Sequence, residues 1–199
     1  MQKNKEKKVG KFHKNNKLND LTGSEWIQFT KSWFILNPRQ RKDKEFTHPA
    51  KFPEDLAERY ISFFTKKGQV VLDPFAGISS TLLACENTGR YGIGVEYSKK
   101  YVDIGKKRLE QLGAIKKHKI IKGDSQNLLK IWNASKNKLP EKVDFIVTSP
   151  PYWNMLEESR GNVLSTHQKR KINGLDTKYS NSKKDLGNIK EYAEFLSAL

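Results

Sequence analysis

Four short apolar runs, each ending at a small or polar residue, constrain the fold of this chain most. They lie near residues 69–73, 91–96, 118–122 and 143–148 of a 199-residue sequence. Stretches with helical patterning separate them, including one from Ser98 to about Leu112. Strands that alternate with helices are typical of a mostly parallel sheet covered on both faces. The sequence therefore predicts an α/β, doubly wound, Rossmann-like fold with about four strands.

An acidic residue lies at or just after the end of each of the first three runs. The first continues through Asp73-Pro74-Phe75-Ala76-Gly77 into a helix opened by Ser79, which is the strand–turn–helix pattern of nucleotide-binding folds. Glu96 ends the second run, 23 residues after Asp73, where a carboxylate can accept hydrogen bonds from ribose hydroxyls. Asp124 follows the third run. Because parallel strands end at one edge, we expect these groups to face one ligand.

The fourth run leads into Ser149-Pro150-Pro151-Tyr152, followed by Trp153. Proline has no N–H group, so the carbonyl oxygens of this corner are free to accept hydrogen bonds from a ligand. The two aromatic side chains offer flat faces for stacking. The corner therefore suits an amino group on a planar base. Taken alone, the tetrad is equally typical of a structural turn at the end of a strand.

At these residues the chain resembles the S-adenosylmethionine-dependent DNA amino-methyltransferases. The segment 73–77 resembles their cofactor motif, the segment 148–153 their catalytic motif, and His48-Pro49-Ala50-Lys51-Phe52-Pro53 the segment that closes over the methionine end of the cofactor. The resemblance covers roughly residues 18–199. It implies two groups of site residues: cofactor-binding His48, Pro49, Asp73, Pro74, Phe75, Gly77, Glu96 and Asp124, and catalytic Ser149, Pro150, Pro151 and Tyr152.

The resemblance implies methyl transfer from S-adenosylmethionine to the exocyclic amine of a base flipped out of duplex DNA. Ser149 and the Pro150 carbonyl would accept hydrogen bonds from that amine, and Tyr152 would stack on the base. Glu96 would hold the ribose of the cofactor and Asp124 its adenine amine. The tetrad with serine favours cytosine N4 over adenine N6 as the target. An RNA amino-methyltransferase on the same fold and a catalytically inert fragment or DNA-binding module are the alternatives.

Two departures from the family pattern stand out. The family usually has a glycine at the position of Ser79; we expect Ser79 to cap the following helix with its side chain, whereas a positive φ there would favour glycine. The family sheet has seven strands, and only four are found here. We therefore expect either an incomplete catalytic domain, which a second polypeptide would complete, or a compact variant that closes its sheet differently.

The charge of the chain indicates a nucleic-acid partner. Its 38 Lys and Arg against 22 Asp and Glu give a net charge of +16 and a pI near 9.8, which is typical of nucleic-acid-binding domains. Residues 1–17 are rich in lysine and are predicted to form a disordered arm before a methyltransferase domain at 18–199. A lysine-rich tail that is merely solvated is the alternative interpretation of that arm.

Other residue types exclude some functions. The single cysteine, Cys85, lies in an apolar helix and is predicted to be a buried thiol rather than a nucleophile for cytosine C5. The scattered histidines have no metal-ligand spacing, so no metal is expected. No run of 18 apolar residues is present, so we expect an intracellular protein without a membrane partner.

A short amphipathic helix is predicted near the start of the domain. Thr22 and Glu25 have the spacing of a capping box. The apolar stripe that follows is interpreted as core rather than as a base-stacking surface; it consists of Trp26, Ile27, Phe29, Trp33 and Phe34.

Overall fold

The fold is known from a computed structural model, which describes residues 13–37, 52–135, 138–153, 168, 171–172, 177–178, 180, 182 and 185–199. Its described helices are α1 (Gly23–Phe29), α2 (Glu54–Phe64), α3 (Ser80–Thr88), α4 (Lys99–Gln111), α5 (Leu128–Ala134) and α6 (Tyr192–Ala198). The strands are β1 (Val70–Asp73), β2 (Tyr91–Glu96), β3 (Lys119–Lys122) and β4 (Phe145–Ile146). Short 3₁₀ helices occupy Ser125–Asn127 and Leu186–Asn188.

The four strands form one sheet in the order β3-β2-β1-β4. All neighbours pair in parallel, with Val71 opposite Gly92 in β2 and opposite Phe145 in β4. The fold class predicted from the sequence is confirmed, because a parallel sheet with intervening helices is observed. The strand positions agree with the predicted runs to within a few residues for β1, β2 and β3.

The strand order reverses beside β1. The chain builds β1, β2 and β3 in one direction and then crosses back to place β4 on the other side of β1. In open parallel sheets such a reversal leaves a crevice outside the carboxyl ends of the two strands, and ligands bind there. The turn after β1 and the proline-rich corner after β4 therefore flank one crevice.

Alternating side chains of β1 supply two apolar layers. Val71 packs with Ala57 and Ile61 of α2 and with residues of α3. Leu72 packs on the opposite side with Ile93, against partly buried side chains of α5. Since period-2 alternation sends successive side chains to opposite faces, one strand anchors both helix layers.

Strand β4 differs from the prediction. A buried strand was expected over 143–148, but only Phe145–Ile146 are paired as a strand, and Ile146 is 57% exposed. The described part of the sheet ends at β4, so its outer edge has no strand beside it. Hydrogen bonds to β1 continue on either side, from Asp144 N to Val70 O and from Val147 N to Leu72 O.

Helix α1 also differs in part. The capping box of Thr22 and Glu25 is confirmed. The interpretation of the stripe as core is wrong for Ile27 and Trp33, which are 66% and 76% exposed. The helix ends at Phe29, so Trp33 lies beyond the helical face that the pattern assumed, whereas Ile27 lies within the helix on its exposed side. Two earlier members of the stripe do pack on the domain, since the rings of Trp26 and Phe29 both contact that of Phe63.

The predicted basic arm lies mostly outside the described residues, which begin at 13. Near its end the chain already touches the domain, because the Lys66 ammonium donates to the Asn16 carbonyl at 2.7 Å. Asn19 is fully buried and donates to the Phe63 carbonyl at 2.6 Å.

The thiol of Cys85 is buried, as predicted, and burial raises its pKa. Within the described ranges, no group of three or more His, Cys, Asp or Glu side chains could hold a metal ion. Of the helices that the structure describes, none has the length and apolar character needed to cross a bilayer.

Candidate active site

A cleft opens at the carboxyl ends of the strands. Its wall includes seven of the residues singled out in the sequence: Pro74, Phe75, Gly77, Glu96, Asp124, Ser149 and Pro151. They lie at or after the carboxyl ends of β1, β2, β3 and β4, so the parallel sheet gathers residues up to 77 positions apart in sequence. Both predicted motifs thus border a single space at the crevice where the strand order reverses.

Asp73 lies beneath the cleft rather than in its wall. It is 3% exposed, and its carboxylate accepts hydrogen bonds from the Phe75 amide at 3.0 Å, the Thr148 hydroxyl at 2.7 Å and the Thr81 hydroxyl at 2.5 Å. Burial raises the pKa of Asp73, and these three donors oppose the rise. One carboxylate therefore joins the turn after β1, helix α3 and the segment that leads to the proline-rich corner after β4. A direct contact between Asp73 and a ligand stays a prediction.

The turn after β1 adopts left-handed backbone conformations twice. Gly77 has φ 51°, which glycine adopts without steric cost and which lets a ligand approach the backbone. Ser79 has φ 65° and ψ 33°, where a side chain is strained. The prediction that its side chain caps α3 is wrong: it makes no capping hydrogen bond, and its buried Oγ has no partner.

A buried ion pair supports this turn from outside. Arg108 of α4 donates to the Ile78 carbonyl at 2.6 Å and to the Glu54 carboxylate at 2.5 Å. The same Glu54 oxygen accepts from the Ser80 hydroxyl at 3.0 Å. Arg108 is only 6% exposed. The pair thus links α2, the turn and α4, and it escaped the sequence analysis because its partners lie 54 residues apart.

Glu96 is held by the backbone on two sides. Its carboxylate accepts from the Gly77 amide at 2.8 Å and from the Ser98 amide at 2.6 Å. Burial raises the pKa of Glu96 to about 7; the two amides oppose the rise, and the charges of Asp185 and Asp73 add to it. The carboxylate therefore sets the distance between the ends of β1 and β2.

Asp124 caps the 3₁₀ helix that follows β3. Its carboxylate accepts from the Gln126 amide at 3.1 Å and from the Asn127 side-chain amide at 3.4 Å. The neighbouring Ser125 hydroxyl donates to the Pro74 carbonyl, which ties this corner to the turn after β1. Asp124 thus combines a local cap with a place in the wall of the cleft.

The proline-rich corner after β4 is more open than the turn after β1. The hydroxyls of Ser149 and Tyr152 are hydrogen-bonded at 2.6 Å, and Tyr152 is 46% exposed. Pro150 and Tyr152 do not line the cleft itself, whereas Ser149 and Pro151 do. Trp153 has φ 40°, its indole N–H donates to the Lys190 carbonyl at 3.1 Å, and its ring contacts Tyr192 at 5.1 Å. Its ring is therefore engaged within the protein, while that of Tyr152 is accessible.

Five further residues line the cleft and were not predicted: Tyr97, Tyr101, Ser125, Asp185 and Leu186. Two of them directly follow Glu96 and Asp124, so the strand-end argument could have found them. Asp185 and Leu186 belong to a long polar stretch of the sequence, residues 157–188, in which no periodic pattern marks them. A hydrogen bond of 2.8 Å between the hydroxyls of Tyr97 and Ser182 attaches that stretch to the end of β2.

Comparison with known proteins decides the family. The sequence profile of the DNA methylase family for N6 and N4 amino groups matches residues 1–107, more than half of the chain. The chain belongs to this DNA methylase family. Members of the family use S-adenosylmethionine as methyl donor.

Two curated relatives are bacterial methylases. The Type II methyltransferase M.BglII of Bacillus subtilis is 35% identical over 95 residues, which are 47% of this chain and 26% of the relative. The orphan methyltransferase M.BamHII of Bacillus amyloliquefaciens is 35% identical over 121 residues, which are 59% of this chain and 43% of the relative. The chain thus spans less than half the length of these two methylases.

A solved structure also resembles the chain. The putative DNA modification methylase TTHA0409 from Thermus thermophilus, complexed with S-adenosyl-L-methionine, is 31% identical. The similarity covers 52% of this chain and 39% of that one, with a TM-score of 0.42.

The residues of the cleft fit the donor used by this family. Glu96 and Asp124 place carboxylates at two strand ends, where hydroxyl and amino groups of an adenosine can bind. The left-handed backbone at Gly77 admits close approach of a ligand. Two rings, Tyr97 and Tyr101, add flat apolar surface. The predicted contribution of His48 and Pro49 lies outside the described residues.

Proposed function

We propose that this chain is the donor-binding and catalytic part of a DNA amino-methyltransferase. It would transfer a methyl group from S-adenosylmethionine to the exocyclic amine of a base flipped out of duplex DNA. One observation carries the proposal: the donor-side residues Gly77, Glu96 and Asp124 and the corner residues Ser149 and Pro151 line the same cleft. Family membership over residues 1–107 supports the same reaction class.

The donor side has groups for each polar part of an adenosine-containing ligand. Glu96 would accept from the ribose hydroxyls, and Asp124 from the adenine amine. S-adenosylmethionine supplies the activated methyl group when it is bound. Because the donor already carries that group, the task of the protein is to orient it and to exclude water.

The acceptor side has the groups needed to orient an aromatic amine. The Ser149 hydroxyl oxygen and the Pro150 carbonyl would each accept a hydrogen bond from the amine, which turns the nitrogen lone pair toward the donor. The hydroxyl of Tyr152 already bonds to Ser149 at 2.6 Å, which orients the serine oxygen. The exposed Tyr152 ring is available to stack on the flipped base, a contact worth about 1–3 kcal/mol.

We propose cytosine N4 as the target in preference to adenine N6. The basis is the serine at position 149, where an aspartate is commoner in adenine-specific relatives. The neutral hydroxyl leaves the acceptor side without a carboxylate at that position.

Incubation with S-adenosylmethionine and genomic DNA, followed by mass spectrometry of the nucleosides, tests the proposal. We expect N4-methylcytosine from the wild-type chain and a loss of at least about 100-fold for Ser149→Ala, the range for a group that orients a reacting centre. Ser24→Ala, at an exposed serine on α1, is the matched control and should keep full activity.

The outcomes separate the parts of the proposal. N6-methyladenine alone would overturn the choice of target and keep the reaction class. Methylation of structured RNA but not of duplex DNA would overturn the choice of substrate. Binding of S-adenosylmethionine without methylation of either nucleic acid would overturn catalysis by this chain.

A further inference from the structure

The cleft is acidic although the chain is strongly basic. The net charge is +16, yet the wall of the cleft contains Glu96, Asp124 and Asp185. Among the described residues that line it, none is lysine or arginine. A concave wall of one sign concentrates the field inside a cleft, so this one attracts a positively charged ligand.

Asp185 differs from the other two acids in its hydrogen bonding. Each of the other carboxylates accepts from two donors of the protein. Asp185 uses Oδ1 to accept from the Gly187 amide at 3.0 Å, and no described residue donates to its Oδ2. The residue is 8% exposed and lines the cleft. Asp185 thus adds to the wall of the cleft a nearly buried carboxylate with one oxygen to which no described residue donates.

The chain holds Asp185 in place from both sides. Its amide donates to the Ser182 carbonyl at 3.2 Å, and the Ser182 hydroxyl bonds to Tyr97. On the other side, the Trp153 indole bonds to the Lys190 carbonyl. The charge of Asp185 also reaches the neighbouring acid, because it contributes to the raised pKa of Glu96. The carboxylate is therefore positioned rather than loosely solvated.

The donor and the product of the proposed reaction differ in charge. S-adenosylmethionine has a sulfonium, an ammonium and a carboxylate, and is a net cation. S-adenosylhomocysteine has lost the methyl group and the sulfonium charge, and is neutral. A fixed carboxylate without a neutralising partner in the wall interacts more favourably with the cation.

Resting on the proposed function, we infer that Asp185 selects the cationic methyl donor over its neutral product in this cleft. The residue acts on binding and release of the donor, and takes no part in the contacts with the target amine. It also gives the stretch after the catalytic corner a role in the donor half of the site.

Calorimetric titration of the full chain with S-adenosylmethionine and S-adenosylhomocysteine tests this inference. In Asp185→Asn the amide oxygen can still accept from Gly187, so the cap and the thermal midpoint should be kept. We expect the Kd for S-adenosylmethionine to rise about tenfold and that for S-adenosylhomocysteine by less than about twofold, since only the first has the sulfonium. Asp103→Asn removes an equal charge from an exposed pair with Lys99 on α4 and should change neither Kd.

Three results would overturn the inference. Equal weakening of both ligands would mean that Asp185 contacts a group they share. No change in either Kd would mean that its charge is not felt by the ligand. A wild-type chain that binds neither ligand would overturn the proposed function as well, which distinguishes that failure from the other two.

Discussion

The two halves of the cleft are built in opposite ways. The turn after β1 is buried and held by many partners: Asp73 accepts from three donors, and the Arg108–Glu54 pair supports it from outside. The corner after β4 stands at the edge of the described sheet, and Tyr152 is 46% exposed. Its main ties are the Thr148 bond to Asp73 and the Trp153 bond to Lys190.

This contrast predicts that the two parts of the cleft contribute differently to stability and to the proposed reaction. Substitutions in the turn after β1 should act mainly through folding, because they leave buried polar groups without partners. Substitutions at the exposed corner should act mainly on the reaction, since few native contacts depend on them. Asp73 is the exception that links the halves, as its carboxylate bonds to both.

The largest effect is expected at Asp73. Asp73→Ala leaves the hydroxyls of Thr81 and Thr148 and the Phe75 amide without their acceptor, so the free energy of unfolding should fall by about 3 kcal/mol. Urea denaturation measures this. Asp73→Asn is the matched variant. Its side-chain amide can still form hydrogen bonds with most of the same partners, so its free energy of unfolding should fall much less. Equal losses in the two variants would show that the hydrogen bonds are not what stabilises the turn.

The second effect concerns pH. Because burial raises the pKa of Glu96 from 4.5 to about 7, the protonated form is favoured in the folded state. The stability that protonated Glu96 contributes is complete below pH 4.5 and is lost as the pH rises through about 7. The free energy of unfolding should fall by about 3 kcal/mol over this range.

Glutamine does not titrate, so in Glu96→Gln the free energy of unfolding should decrease less across that pH range than in the wild type. Some slope should remain, since burial also raises the pKa of Asp73. Denaturation at several pH values measures it, with Asp103→Asn as the control for loss of an exposed charge. A full slope in Glu96→Gln would contradict the assignment.

The corner after β4 should show the reverse behaviour, with a small effect on stability and a larger one on the proposed reaction. Tyr152→Ala removes a ring that is 46% exposed, so stability should change by less than about 0.5 kcal/mol. The lost stacking should nevertheless lower kcat/KM for DNA methylation, by an amount equivalent to about 1–3 kcal/mol of activation free energy. Tyr152→Phe keeps the ring and removes the bond to Ser149, which separates stacking from the orientation of the serine. A large loss of stability in either variant would contradict the conclusion that few native contacts depend on this corner.

The smallest effect is a gain. Ser79→Gly relieves a left-handed backbone and removes a buried hydroxyl that has no partner. We expect the free energy of unfolding to rise by about 1 kcal/mol, after the greater entropy of glycine in the unfolded chain is subtracted. Thermal denaturation checks this, with Ser98→Gly at the start of α4 as a control that has an extended backbone. A loss of stability would mean that the turn is not strained.

Local patterns were enough to predict much of this molecule. The capping box of α1, the strands β1 to β3 and the places of Glu96 and Asp124 follow from short motifs and strand ends. Features set by tertiary contacts were missed. The exposed edge at Ile146 and the place of Asp185 in the cleft depend on segments far apart in sequence, and no local period records them.

Ser79 shows why even a correctly located motif can mislead. Its residue type and position before α3 favour a helix cap. The backbone there is left-handed, and the hydroxyl points into a tight contact with α4. The hydroxyl therefore lies against a different helix and does not cap its own.

Because of that contact, the effect of a substitution at residue 105 depends on which residue already occupies position 79. A Cβ atom at Gly105, in the middle of α4, would collide with the Ser79 Oγ atom, whereas its nearest neighbour outside residue 79 is the flexible end of Ile120 at 3.3 Å. Alanine at 105 would thus be harmful while serine occupies 79, and tolerable once glycine replaces it. A lineage that changes both residues should therefore acquire Ser79→Gly before Gly105→Ala, because the reverse order places alanine against the serine hydroxyl.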